Sequence, residues 1–191
     1  MPGLYILPSS WLLDATPETV WETVASPDMS WPRWWPGCTL QDLATDPGVE
    51  TTDAETADPT AELLATTVRL RFRAALGYHL SITIHPTAAA RPRIIEFDAG
   101  GDLAGTGRIR LFPVPAAAPG NAPGGAAQTR MDIDWRVRPT RPWMRLLTPV
   151  ARPVFTAAHS LLMRQGERGL RRELAGSGNP SRTAEEGAHT G

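Results

Sequence analysis

The sequence predicts an α+β fold: a curved antiparallel sheet of about seven strands wrapped around a long C-terminal helix, with two short helices after the first strand. Three observations carry this. From Val68 to Arg138, apolar and polar residues alternate in one segment after another, the period of a half-buried strand. From Arg141 to about Leu174 the period lengthens to three and four, with Leu147, Val150, Val154, Ala158, Leu161, Leu162, Gly169 and Leu170 on one stripe. Between the first apolar segment and the alternating region, two short stretches carry helix-start signals. A one-faced sheet and a one-faced helix bury their apolar sides against each other.

Taken in order, residues 4 to 13 read as a strand, and Asp14 to Pro17 turns it into a helix with Thr16 as N-cap and Pro17 at the first position. Val20, Trp21 and Val24 form that helix's inner stripe. The stretch DMSWPRWWPGC packs three tryptophans into five residues and is broken by Pro32 and ended by Pro36 and Gly37. It predicts a single turn of helix wedged against apolar surface, its tryptophans closing one end of the core or walling a cavity. Cys38 to Leu43 reads as a short strand. Residues 46 to 62 hold Asp46, Glu50, Asp53, Glu55, Asp58 and Glu62 with no base, the pattern of a solvated loop or frayed hairpin end and not of a calcium loop, whose central glycine is missing.

Val68, Leu70 and Phe72 then alternate with Arg69, Arg71 and Arg73. Tyr78, Leu80, Ile82 and Ile84 alternate with His79, Ser81, Thr83 and His85. Gly77 marks the turn between these strands. Further strands are expected at Arg93 to Asp98, at Leu103 to Val114 after the Gly100-Gly101 turn, and at Gln128 to Arg138. PAAAPGNAPGGAA, residues 115 to 127, is a low-complexity hairpin loop. In the last segment Thr148-Pro149 reads as N-cap and first helical position after a short turn at 142 to 147, Arg164, Arg168, Arg171 and Arg172 favour the negative end of the helix dipole, and Gly176 is placed as the stop. The domain reading is one unit over 1–175 and a disordered tail over 176–191.

At 191 residues with 41% hydrophobic and 20% charged residues, the chain has the composition of an ordinary globular domain. Nineteen basic residues, all arginine, against 20 acidic ones leave a net charge of -1, so no overall field draws it to nucleic acid or acidic lipid. Lone Cys38 has no internal disulfide partner. The first residues lack a signal peptide's basic start and apolar run, and no uncharged apolar stretch nears the roughly 18 residues of a membrane span. These features predict a cytoplasmic protein with no membrane insertion and no nucleic-acid partner.

The segment LDATPETVWETVASPDMSWPRWWPG resembles the N-terminal signature of the SRPBCC superfamily, the START and birch-pollen-allergen-like helix-grip proteins. GDLAGTGRIRLFPV and RPWMRLLTPVARPVFTAAHSLLMRQGERGLRREL resemble its bacterial polyketide cyclase/dehydrase-like branch, so the likeness spans roughly residues 4 to 175. It implies the helix-grip fold, and a range of functions that includes lipid carriers, hormone receptors and ring-closing cyclases.

The four histidines and single cysteine are scattered, with no metal-ligand or nucleophile spacing, and no cofactor is expected. His79 and His85 share a strand face roughly 20 Å apart at about 3.3 Å per residue, too far to share an ion. The glycines around 100 to 107 lack the helix that a dinucleotide fingerprint requires. Arg69, Arg71 and Arg73 are expected in solvent, unless a bulge turns them inward to hold a carboxylate. The basic end of the long helix reads as a solvated face or as a contact for a phosphate or membrane headgroup. His159, one turn after Phe155, falls on the helix flank facing the sheet and resembles the family's histidine-then-methionine segment, here HSLLM. It reads either as a packed histidine or as the polar group of an apolar cavity, orienting a ligand oxygen or moving a proton.

The function expected is binding or carrying a small-to-medium hydrophobic ligand, a lipid, polyketide or aromatic metabolite, between helix and sheet. The wall would be drawn from Trp35 of the tryptophan segment, from Tyr78, Leu80, Ile82, Phe97 and Trp135 of the sheet, and from Phe155, His159 and Leu162 of the helix. A cyclase/aromatase-like enzyme using the same cavity, with His159 as the candidate catalytic group, is the first alternative. A ligand-free interaction module is the second.

Overall fold

A computed structural model describes residues 4–45, 59–73, 77–115, 127–142 and 148–177, the side chains of Pro59 and of 148–154 excepted. Of the expected acidic loop over 46–62, residues 46–58 lie outside those described, as do 116–126 of the 115–127 loop, 143–147 of the 142–147 turn, and 178–191 of the tail.

Seven strands form one antiparallel sheet in the order β1-β7-β6-β5-β4-β3-β2. They are β1 (Tyr5–Leu13), β2 (Cys38–Thr45), β3 (Thr66–Arg73), β4 (His79–Ala90), β5 (Ile94–Gly101), β6 (Leu103–Val114) and β7 (Gln128–Pro139). The helices are α1 (Pro17–Val24), α2 (Trp31–Trp34), α3 (Pro59–Ala65) and α4 (Thr148–Ser177). Among the described residues no helix is long and apolar enough to cross a membrane.

The period-two pattern became the sheet's two faces. Val68, Leu70 and Phe72 are buried while Arg69, Arg71 and Arg73 are exposed. The β3–β4 register runs without a shift, so no bulge turns those arginines inward; the irregularity lies in β2, between Leu40 and Asp42. His79 and His85 are both exposed. The same inner face continues through Ile82, Ile84, Ile95, Ile109, Met131, Ile133 and Val137.

Local signals placed α1 and α2. The Thr16 hydroxyl accepts from the Thr19 N–H at 3.3 Å, and Pro17 opens α1. The Trp31 indole N–H donates to the Val24 carbonyl at 2.8 Å, and the Ser30 hydroxyl to the Thr23 carbonyl at 3.0 Å, which ties α2 to the end of α1. All three tryptophans of the segment are buried, each 7% exposed or less.

Two expectations need correction. The end of the acidic stretch is helical: Pro59 starts α3, Leu63 is buried at 2% exposure, and the Thr66 hydroxyl donates to the Glu62 carbonyl at 2.9 Å. The acids masked a short Leu63-Leu64 anchor. Gly176 does not stop α4, which runs on to Ser177. It carries no positive φ, so it sits in the helix as an ordinary residue.

Past β7 the chain is fastened to the β5–β6 turn. The Asp102 carboxylate accepts from Arg141 Nε at 2.6 Å, from Arg141 Nη2 at 2.9 Å and from the Ser81 backbone N–H at 2.8 Å. Gly101, at φ 84°, makes the tight corner beside it, where a side chain would run into the Ser81 carbonyl.

Candidate functional site

The helix α4 touches the rest of the molecule unevenly. Its C-terminal half is pinned: Met163, Leu170 and Leu174 are buried, and two glycines three residues apart let it settle on the tryptophan segment. A methyl on Gly166 would stand 2.6 Å from Trp35 Cε2, and one on Gly169 would overlap the Trp34 carbonyl oxygen. Its preceding turns, Phe155 to Leu162, stay half-buried or exposed. There the helix touches the edge strand β1, Phe155 against the Tyr5 ring and His159 against Ser9, and leaves a space over the strands beyond it.

The gap is a cavity of about 140 Å3, and the whole hollow out to its mouth, including space open to solvent, is about 1090 Å3. Leu80 and Ile82 of β4, Trp135 of β7, Trp35, and Tyr78 just ahead of β4 line it. Phe155, His159 and Leu162 of α4 close the opposite wall. Of the nine residues expected there, the structure brings these eight together.

Phe97 is the exception. It pairs with Gly107 across β5 and β6, and its ring occupies the room that glycine leaves, so that a Cβ at position 107 would overlap it. From there it meets Trp135 edge-on at 5.1 Å between centroids. It backs the wall and does not line it.

The lining also takes in Tyr5 and Leu7 of β1, Phe72, Leu103 and Met163, which the wall expected from sequence left out. The period-two pattern of β1 (Tyr5, Leu7, Ser9, Trp11, Leu13) carried the signal for two of them. Leu161, assigned to the buried stripe, is 37% exposed at the cavity because the sheet does not reach it.

Among the described residues the polar groups on the lining are Arg73, His159, Gln165, the Tyr5 and Tyr78 hydroxyls and the indole N–H groups of Trp31, Trp35 and Trp135. Arg73 is the lining's only charged residue among the described residues, and it is exposed. His159 Nε2 lies 3.4 Å from the Ser9 hydroxyl of β1, a long hydrogen bond whose direction follows the tautomer. Burial pushes the imidazole down to about 4 from its ordinary 6.5, so it is neutral at pH 7. A neutral imidazole in an apolar hollow can donate one hydrogen bond and accept another, or relay a proton; it cannot balance a buried anion.

Elsewhere the titratable groups suggest no second site. Burial pushes the Cys38 thiol up to about 12, and it carries no disulfide. Among the described residues no three His, Cys, Asp or Glu side chains converge as metal ligands would.

No protein-family model and no curated protein matches this sequence. Solved structures do. A START superfamily protein from Mycobacterium smegmatis aligns at a TM-score of 0.59 and 14% identity, over 90% of this chain and 98% of that one. The Zhui aromatase/cyclase from Streptomyces sp. R1128 aligns at 0.59 and 15% identity, over 93% and 97%. The di-domain aromatase/cyclase BexL aligns at 0.55 and 13%, over 94% of this chain and 51% of that one. At such identities the likeness establishes the fold: this chain has the helix-grip fold, a seven-stranded sheet curved around its C-terminal helix.

Proposed function

We propose that this protein binds or carries a small hydrophobic molecule in the hollow between α4 and the sheet. The observation that carries the reading is the space itself: a helix seated on the tryptophan segment at Gly166 and Gly169, and on β1 at Phe155 and His159, spans an apolar-walled cavity of about 140 Å3. An engineered apolar cavity of about 150 Å3 stays dry and takes up benzene, so a space of this size and lining gains free energy by filling with an apolar guest. Burial at about 25 cal/mol per Å2 supplies the affinity, and His159 orients the guest. A packed interaction module has no need of such a hollow.

The test is native mass spectrometry of the purified full chain, with extraction of whatever it retains. An apolar or aromatic compound held at one per chain is the expected result. A chain that retains nothing, and whose Trp31, Trp35 and Trp135 signals ignore added apolar compounds, would refute the reading.

The fold shared with aromatase/cyclases and the polar group His159 in the cavity favour a second reading, acid/base catalysis of ring closure. It requires a partner that sets the imidazole's protonation, and the side chain that meets His159 is Ser9, an uncharged hydroxyl. Turnover of a linear poly-β-ketone by the wild-type protein and its loss in His159→Ala would support catalysis over carriage.

A further inference from the structure

The volume and polarity of the cavity narrow the guest. About 140 Å3 is room for one six-membered ring with a small substituent, well short of the roughly 300 to 1,000 Å3 of sites that hold drug-sized ligands. Among the described residues the lining holds no acid, and Arg73, the one charged residue of these, is exposed, where water screens it. Inside, the imidazole is uncharged. A carboxylate or ammonium drawn into this space would lose its hydration and find no opposite charge, whereas a hydroxyl or carbonyl needs only one hydrogen-bond partner.

His159 offers that partner. Its Nε2 is engaged with Ser9, and among the described residues no group hydrogen-bonds its Nδ1. Ser9 comes from β1, the strand against which α4 packs, so it fixes the ring from the sheet side. Whichever nitrogen carries the proton, the serine hydroxyl satisfies Nε2 and leaves Nδ1 with the complementary role.

We infer that the cavity takes an uncharged, single-ring guest bearing one hydrogen-bonding oxygen, that this oxygen meets Nδ1 of His159, and that Ser9 is a positioning residue which holds the imidazole for it. The inference rests on the ligand-binding reading above and names the guest's class. Gln165, the other uncharged polar lining residue outside the aromatics, serves as the internal control.

The test titrates phenol, toluene and benzoate into the full chain at pH 7, followed through the indole N–H signals of Trp31, Trp35 and Trp135 and the ring 15N shifts of His159. Wild-type protein is expected to hold phenol at least as tightly as toluene and about tenfold or more tighter than benzoate. His159→Leu is expected to weaken phenol roughly 5- to 100-fold, the cost of a hydroxyl buried without a partner, and to leave toluene within about threefold. Ser9→Ala is expected to weaken phenol roughly 2- to 10-fold and shift the His159 tautomer signals, with toluene unchanged and phenol recovered in Ser9→Thr. A merely structural serine would weaken both guests alike.

Benzoate binding tighter than phenol, a phenol loss in Gln165→Leu in place of His159→Leu, or Ser9→Ala acting equally on both guests would each overturn the inference. Should His159→Leu fail to fold, the wild-type ranking and the Ser9 pair still decide it. Toluene binding that shows no phenol dependence on His159 sinks this inference alone. A chain that binds none of the three but retains a larger compound sinks the single-ring clause, and one that binds and retains nothing sinks the parent reading too.

Discussion

His159 sits where its charge is least welcome. An imidazole that titrates near 4 when folded and at 6.5 when unfolded binds its proton more readily in the unfolded chain. Stability is therefore whole above pH 6.5, declines as the pH falls from 6.5 toward 4, and levels off below. The total loss attributable to this group is no more than about 3 kcal/mol at 1.36 kcal/mol per pKa unit. Urea unfolding midpoints measured at pH 7 and pH 4.5 should differ by a smaller amount in His159→Gln than in wild type, and equal slopes in the two proteins would contradict the assignment. Cys38, 5% exposed with its thiol at about 12, should resist Ellman's reagent at pH 8 and react only once urea opens the chain.

At the scale of elements, α4 is held by what its glycines lack. Gly169→Ala drives a methyl into the Trp34 carbonyl, a backbone atom that cannot swing aside, and should cost about 2 kcal/mol or more of stability. Gly176→Ala has nothing within 4 Å and should be neutral or stabilising by up to about 1 kcal/mol through helix propensity. Thermal unfolding of the pair separates a packing effect from a propensity effect; equal shifts would mean that α4 does not rest on the tryptophan segment. Elements were also the level at which sequence reading did best. Each expected strand lies within a residue or two of its observed start, because all but β2, which is exposed beyond Cys38, have one wetter face and announce it by alternation. The helix α3 escaped notice because only Leu63 is buried deeply in it, and one apolar anchor in an acidic stretch makes no periodic signal.

For the molecule as a whole, the hollow is the feature with consequences. Ala158 lies on its lining, and Ala158→Leu would put three more carbons into a space of about 140 Å3. Filling a void stabilises or leaves stability unchanged, typically by up to about 1 kcal/mol, while removing the room for a guest. Ala158→Leu is thus expected to keep or raise the melting temperature and to lose roughly tenfold or more in affinity for toluene. Retained affinity in a folded variant would place the guest elsewhere.

By itself the sequence determined the strands, the inward and outward faces of most of them, and every helix but α3, since periodicity is set by backbone geometry and reports burial directly. It also singled out His159, a lone imidazole on an apolar flank. Tertiary structure alone decided which inward residues touch one another and which face empty space. Phe97 and Trp135 are alike as inward-facing aromatics, yet Gly107 draws one into the layer behind while the other borders the cavity. Ser9 beside His159 belongs to the same class of fact: 150 residues separate them, and only the packing of α4 on β1 brings hydroxyl and imidazole within 3.4 Å. A hollow is a mismatch between two surfaces, and no pattern along either one records it.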